Sequence, residues 1–193
     1  RLAFTDYQPS HKKVNINSHQ SHSLLGIPAY HLYTDKRIPF SLLNNIIGGP
    51  GLNTRLNIAI REKNGLAYSV ESQYMPMTDT GLFTIYIGSD HQTIDKAIAL
   101  TYKELKRIKE EKLGTLQMSR AKKQFFGQIS LMNESNQNEM LSMAKSGMYT
   151  NKIDTMKDIY QKINAITASD LLEVANEILV EEKLSSLIYT KNK

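Results

Sequence analysis

Residues 48–69 place a glycine turn, a helix, a helix stop and a strand in one short unit, and this unit constrains the fold more than any other stretch of the chain. Gly48-Gly49-Pro50-Gly51 opens it, because glycines tolerate the positive φ angles of a tight turn. Leu52, Leu56, Ala59 and Ile60 follow at spacings of four, three and one, which lays a single apolar stripe along a helix. Lys63 falls in its last turn and Gly65 fits the left-handed position just beyond it, with Leu66 as the apolar partner of that cap. Beyond the cap the chain reads as extended, with Tyr68, Val70, Ser72 and Tyr74 on one face and Ala67, Ser69, Glu71 and Gln73 on the other. Arg61 therefore stands at a helix end and Tyr68 at the start of the next strand.

The rest of the chain supplies a sheet and its cover. Val14 to Tyr30 alternates loosely, as a pair of strands or one long bent strand, and Pro28 marks its end or an edge. Phe40, Leu43, Ile46 and Ile47 recur at helical spacing up to the glycine turn. Pro76 to Gly81 is a turn and Leu82 to Ile87 a second strand, so the Tyr68 strand enters a hairpin. Ser89-x-x-Gln92 has the form of a capping box for a long helix through Ile94, Ala97, Ile98, Tyr102, Leu105 and Ile108, ended by Gly114. Another helix carries Met118, Ala121, Phe125 and Ile129, and the run through Met140, Met143, Ala144, Gly147 and Met148 continues or restarts it. Asp154 and Thr167-x-x-Asp170 read as two further helix N-termini, and Leu184 to Tyr189 as a last strand. The methionines at 118, 132, 140, 143, 148 and 156 read as core filler. Strands and helices are segregated rather than alternating, which predicts an α+β, two-layer domain over residues 1–193: a largely antiparallel sheet with helices on one face.

Several classes of function are disfavoured by composition. With no cysteine there are neither disulfides nor thiolate metal sites. The net charge of +5 raises nucleic acid as a partner. However, the densest basic stretch, Lys103, Lys106, Arg107, Lys109 and Lys112, is interleaved with Glu104, Glu110 and Glu111, which reads as a solvated helix face. No apolar run approaches the ~20 residues of a membrane span. No signal peptide is visible, and Arg1 is not an initiator, which suggests an excerpt of a longer polypeptide. The compartment stays open, cytoplasmic or periplasmic if the source is bacterial.

Metal chemistry has no obvious ligands. Neither His-Glu-x-x-His nor His-x-x-Glu-His occurs, and of the five histidines only His19 and His22 are close. In an extended segment a spacing of three sends them to opposite faces, so structural or solvent histidines are the expectation. The glycine turn is no phosphate cradle either, since no Gly-Lys-(Ser/Thr) follows and Pro50 lacks an amide donor. Taken alone, Arg61 reads as a helix C-terminal cation and Tyr68 as strand packing.

The glycine turn, then Thr54-Arg55-Leu56, then Arg61-Glu62-Lys63-Asn64-Gly65-Leu66-Ala67-Tyr68-Ser69, resembles the C-terminal half of the insulinase, pitrilysin and mitochondrial processing peptidase family of zinc metallopeptidases. The resemblance covers essentially residues 1–193, with Pro50 a departure from a turn usually richer in glycine. It implies a processing-peptidase-like half whose counterpart bears the zinc, so that this chain binds no metal and is inactive alone. It also implies that two related halves, on one polypeptide or as partner subunits, close on a peptide or protein substrate. Arg61 and Tyr68 are then the substrate-carbonyl contacts. A guanidinium and a phenol suit that role, because negative charge grows on the carbonyl oxygen when water attacks it. The alternative is a non-catalytic member serving as a structural or regulatory subunit.

Overall fold

The computed structural model describes Phe4 and residues 6–191. Its sheet is built outward from β2 (Ser21–Ala29) and β4 (Gly81–Ser89), which pair antiparallel with Leu25 opposite Ile85 and Ile27 opposite Phe83. In both strands alternate side chains are buried, as the period of two requires when one face is covered. β3 (Ser69–Pro76) adds antiparallel to β4, and β5 (Ser185–Thr190) antiparallel to β2. β1 (His11–Asn15) then pairs with β5 in parallel, giving the order β1-β5-β2-β4-β3. The segment from Val14 to Tyr30 is thus two strands. They are not neighbours: the chain reverses at Ser18, whose hydroxyl accepts the Gln20 amide, and β5 fills the place between them.

One face of this sheet carries α1 (Arg37–Gly48), α2 (Ile94–Glu110) and α6 (Ala168–Ile178), which contact its strands directly. α3 (Thr115–Asn133), α4 (Asn136–Thr150) and α5 (Met156–Ala165) pack further out. The predicted α+β two-layer arrangement is what forms. No helix among the described residues is long and apolar enough to cross a membrane.

Phe40 is the seam between the layers. It is fully buried, and its ring meets Phe83 at 5.4 Å, Tyr74 at 4.8 Å and Tyr30 at 5.6 Å, all close to edge-on. Edge-to-face contact sets the positive ring rim against a negative face and adds to the burial itself. The two tyrosines keep their hydroxyls satisfied: Tyr74 donates to the Tyr30 carbonyl at 2.7 Å, and Tyr30 donates to Glu177, which also pairs with Lys36. Burial, with Glu177 beside it, raises the Tyr30 pKa, and burial alone raises that of Tyr74. At the far end of α1, Gly48 lies so close to β3 that a Cβ there would come within 2.8 Å of the Ser72 amide nitrogen.

Several boundaries differ from expectation for identifiable reasons. Gly114 does not end α2, which stops at Glu110; it begins α3, its amide donating to the Gln117 side chain at 3.0 Å. Ser89 and Gln92 form no capping box. The Ser89 hydroxyl donates to the Leu66 carbonyl and lies 2.7 Å from that of Thr93, the N-cap residue just before α2. Thr167 and Asp170 cap α6 reciprocally as predicted, but α5 is capped by Thr155 with Asp158, one residue after Asp154, which pairs with Lys162 instead. On α2, Arg107 bridges Glu104 and Glu111, and Lys106 pairs with Glu110. Glu104 is only 7% exposed, so that part of the charged face is packed rather than solvated. Of the methionines, Met118 is core, whereas Met132, Met140, Met143 and Met148 are exposed, and α4 has no fully buried residue.

Removing the Phe40 ring leaves three aromatic neighbours facing a void. Phe40→Ala should lower unfolding free energy by about 3–5 kcal/mol in denaturant titration, with little change at Tyr68.

Candidate functional site

The unit that dominates the sequence also carries the least regular backbone. After Arg55 the helix widens into π-type turns over Asn57–Glu62, in which the Lys63 amide reaches back five residues to the Ile58 carbonyl at 3.0 Å. Asn64 accounts for the widening. Its side-chain amide donates to the Ala59 carbonyl at 2.7 Å, the acceptor that Lys63 would use in an α-helix. The stop falls where predicted: Gly65 adopts φ +59°, its amide bonds the Arg61 carbonyl at 2.9 Å, and the Leu66 amide bonds that of Ile60 at 2.9 Å. Asn57 fastens the unit to the sheet, donating to the Thr54 hydroxyl at 3.0 Å and to the Val70 carbonyl at 3.2 Å.

Arg61 emerges from the last π turn with its side chain 42% exposed, its Nε 3.9 Å from Glu62 Oε1. Tyr68 precedes β3, its amide held by the Gly88 carbonyl at 2.8 Å. From Ser69 to Gln73 burial alternates as predicted, with Val70 and Ser72 inward, but Tyr68 departs from it. Tyr68 shares their parity, yet a bend turns it out to 56% exposure while Ala67 is buried. Its hydroxyl donates to Asp90 Oδ1 at 2.9 Å. That hydrogen bond, and next the carboxylate's charge, push the Tyr68 pKa above its ordinary value, keeping the phenol a proton donor. Asp90 is fixed in turn, its carbonyl accepting the Thr93 and Ile94 amides at 3.1 Å where α2 begins. Sequence reasoning did not single out Asp90; its only signal was an acidic residue between a strand end and a helix start.

Arg61 and Tyr68 therefore flank the Gly65 cap, both exposed, with different polar partners, Glu62 and Asp90. His22 and His91 are engaged elsewhere. His22 Nδ1 lies 2.8 Å from the Tyr86 hydroxyl, and His91 bridges the Ser21 hydroxyl at 2.7 Å and the Ser18 carbonyl at 3.0 Å. Among the described residues no three His, Asp or Glu side chains are grouped to hold a metal ion.

Residues 2–125 match the family described as the peptidase M16 inactive domain. The chain belongs to that family. Its relatives include zinc proteases of Bacillus subtilis, 27% identical over 88% of this chain and 41% of the relative, and of Rickettsia bellii, 29% identical over 96% and 45%. A third, from Rickettsia felis, is 31% identical over 91% of this chain and 42% of the relative. The chain thus spans less than half the length of these zinc proteases. In fold it superposes on the peptidase M16 inactive domain from Pseudomonas fluorescens with a TM-score of 0.88 at 21% identity, covering 100% of this chain and 46% of that one. The peptidase M16 assignment agrees with the resemblance carried by residues 48–69 and with the α+β half that it implied.

Tyr68 should ionise above the ordinary phenol range, and Asp90→Asn should return it towards that range by removing the charge that opposes the phenolate. Tyrosinate difference spectra of the parent and Asp90→Asn, each read against its Tyr68→Phe counterpart, isolate the Tyr68 titration.

Proposed function

We propose that this chain, as one domain over residues 1–193, is the substrate-binding C-terminal half of a zinc-dependent metalloendopeptidase. It works opposite a homologous half that bears the zinc, on the same polypeptide or as a partner subunit. The observation that carries this reading is the pair of exposed donors, Arg61 and Tyr68, flanking one rigid glycine cap in a peptidase M16 domain. Two such groups have little use in packing, and both are suited to a peptide oxygen.

The division of labour follows from their chemistry. A guanidinium presents several directed N–H donors and stays charged at any working pH, so Arg61 can hold a carbonyl or carboxylate of the peptide before reaction. A phenol with a raised pKa stays protonated, so Tyr68 can donate to an oxygen whose charge increases as the carbonyl becomes tetrahedral. Neither group performs covalent chemistry. Both position the peptide and stabilise charge, while the metal and the activated water belong to the companion half.

In the enzyme assembled with that half, Tyr68→Phe should lower kcat and kcat/KM together by ~10²-fold while leaving melting unchanged, the pattern of a contact made in the transition state. Arg61→Lys should also lower kcat/KM, because an ammonium keeps the charge but loses the planar fork. A rise in KM with kcat little changed would assign Arg61 to ground-state anchoring. The reading fails if both variants, with full zinc occupancy in the companion half, cleave peptides at the parent rate.

A further inference from the structure

The Tyr68 hydroxyl has a single proton, and in the chain at rest that proton is already engaged. It is donated to Asp90 Oδ1 at 2.9 Å, in a contact open to solvent. Both ends of the contact are anchored through backbone: Tyr68 by its amide on the Gly88 carbonyl, and Asp90 by its carbonyl on the first amides of α2. The Asp90 side chain is therefore free to act as an acceptor without being needed to start the helix. A carboxylate accepts more strongly than a neutral amide carbonyl, and a phenol that donates to one cannot donate to the other.

We propose that Asp90 is a positioning residue that parks the Tyr68 hydroxyl in the resting enzyme, and that a peptide carbonyl must take this hydrogen bond from it. The inference rests on the reading of Tyr68 as a donor to the scissile carbonyl. No covalent bond changes in the exchange: the O–H stays intact and only its acceptor is replaced. A neutral carbonyl competes poorly with the carboxylate. An oxygen gaining negative charge competes well. Asp90 thus keeps the Tyr68 hydroxyl off the bound peptide, and the transition state gains the contact only at the cost of the parked bond.

The experiment is a kinetic cycle in the enzyme assembled with its zinc-bearing half, using the parent, Asp90→Ala, Asp90→Asn, Tyr68→Phe and the double variant Tyr68→Phe/Asp90→Ala. Because kcat/KM compares free enzyme with transition state, removing the parked contact should raise it in Asp90→Ala by about twofold to tenfold, the range of one exposed hydrogen bond. Because the parked bond persists in the parent's complex with bound peptide, the rise should come mainly through kcat, with a smaller fall in KM. Asp90→Asn, which keeps an uncharged acceptor of the same shape, should give a smaller rise. In the Tyr68→Phe background Asp90→Ala should change nothing. An unchanged or reduced kcat/KM in both single Asp90 variants overturns the proposal. So does an equal rise in the Tyr68→Phe background, which would mean that the carboxylate acts by its charge alone. Loss of the parent reading has a different signature, Tyr68→Phe cleaving at the parent rate.

Discussion

The edge-on contacts of Phe40 with Phe83, Tyr74 and Tyr30 hold the helical layer on the sheet, and the rest of the structure takes its alignment from them. Phe40 belongs to the first turn of α1, Tyr74 to the far end of β3 and Phe83 to β4. Once that ring is seated, the direction of α1 across the sheet is set. Its last residue, Gly48, then arrives against Ser72 at a distance only a glycine allows. The glycine turn is therefore less a flexible loop than the consequence of a helix pressed onto a strand.

From that close approach the geometry of the site follows in order. The turn hands the chain to a short helix that Asn57 ties to the Val70 carbonyl, so the helix is fixed against β3. Gly65 reverses the chain between them, and Tyr68 is fastened to β4 before β3 begins. Arg61 and Tyr68 owe their positions to backbone contacts rather than to side-chain packing. Both can therefore be exposed and still be placed.

Much of this was legible in the sequence, where a period or a cap acts over a few residues. The hairpin of β3 and β4, the Gly65 stop and the Thr167–Asp170 cap all formed as read, because each depends on local geometry. The π turns did not, since an asparagine side chain competing for the Ala59 carbonyl leaves no mark on the apolar period. That period also misplaced Leu52, which lies in the turn before the helix, 62% exposed, while Leu56 and Ile60 are buried. The outward bend at Tyr68 was hidden for a related reason: strand parity predicts a side, whereas the phenol's side follows a backbone bend just before β3, where the Tyr68 amide is held by the Gly88 carbonyl, distant in sequence. The methionines of α4 misled in the opposite way. Their spacing suits a core, but α4 packs mainly against α3, leaving them exposed.

The place of β5 between β1 and β2 bears on the order in which the domain can assemble. β2, β4, β3 and α1 all lie within residues 21–89 and can find one another early. By contrast, His11 and Ser186 sit side by side across a separation of 175 positions. Loop closure over such a span is entropically costly, and non-local pairing slows folding. During synthesis on a ribosome, β2 would carry an open edge until the last strand emerged. For that interval the nascent sheet presents unpaired backbone groups to neighbouring chains.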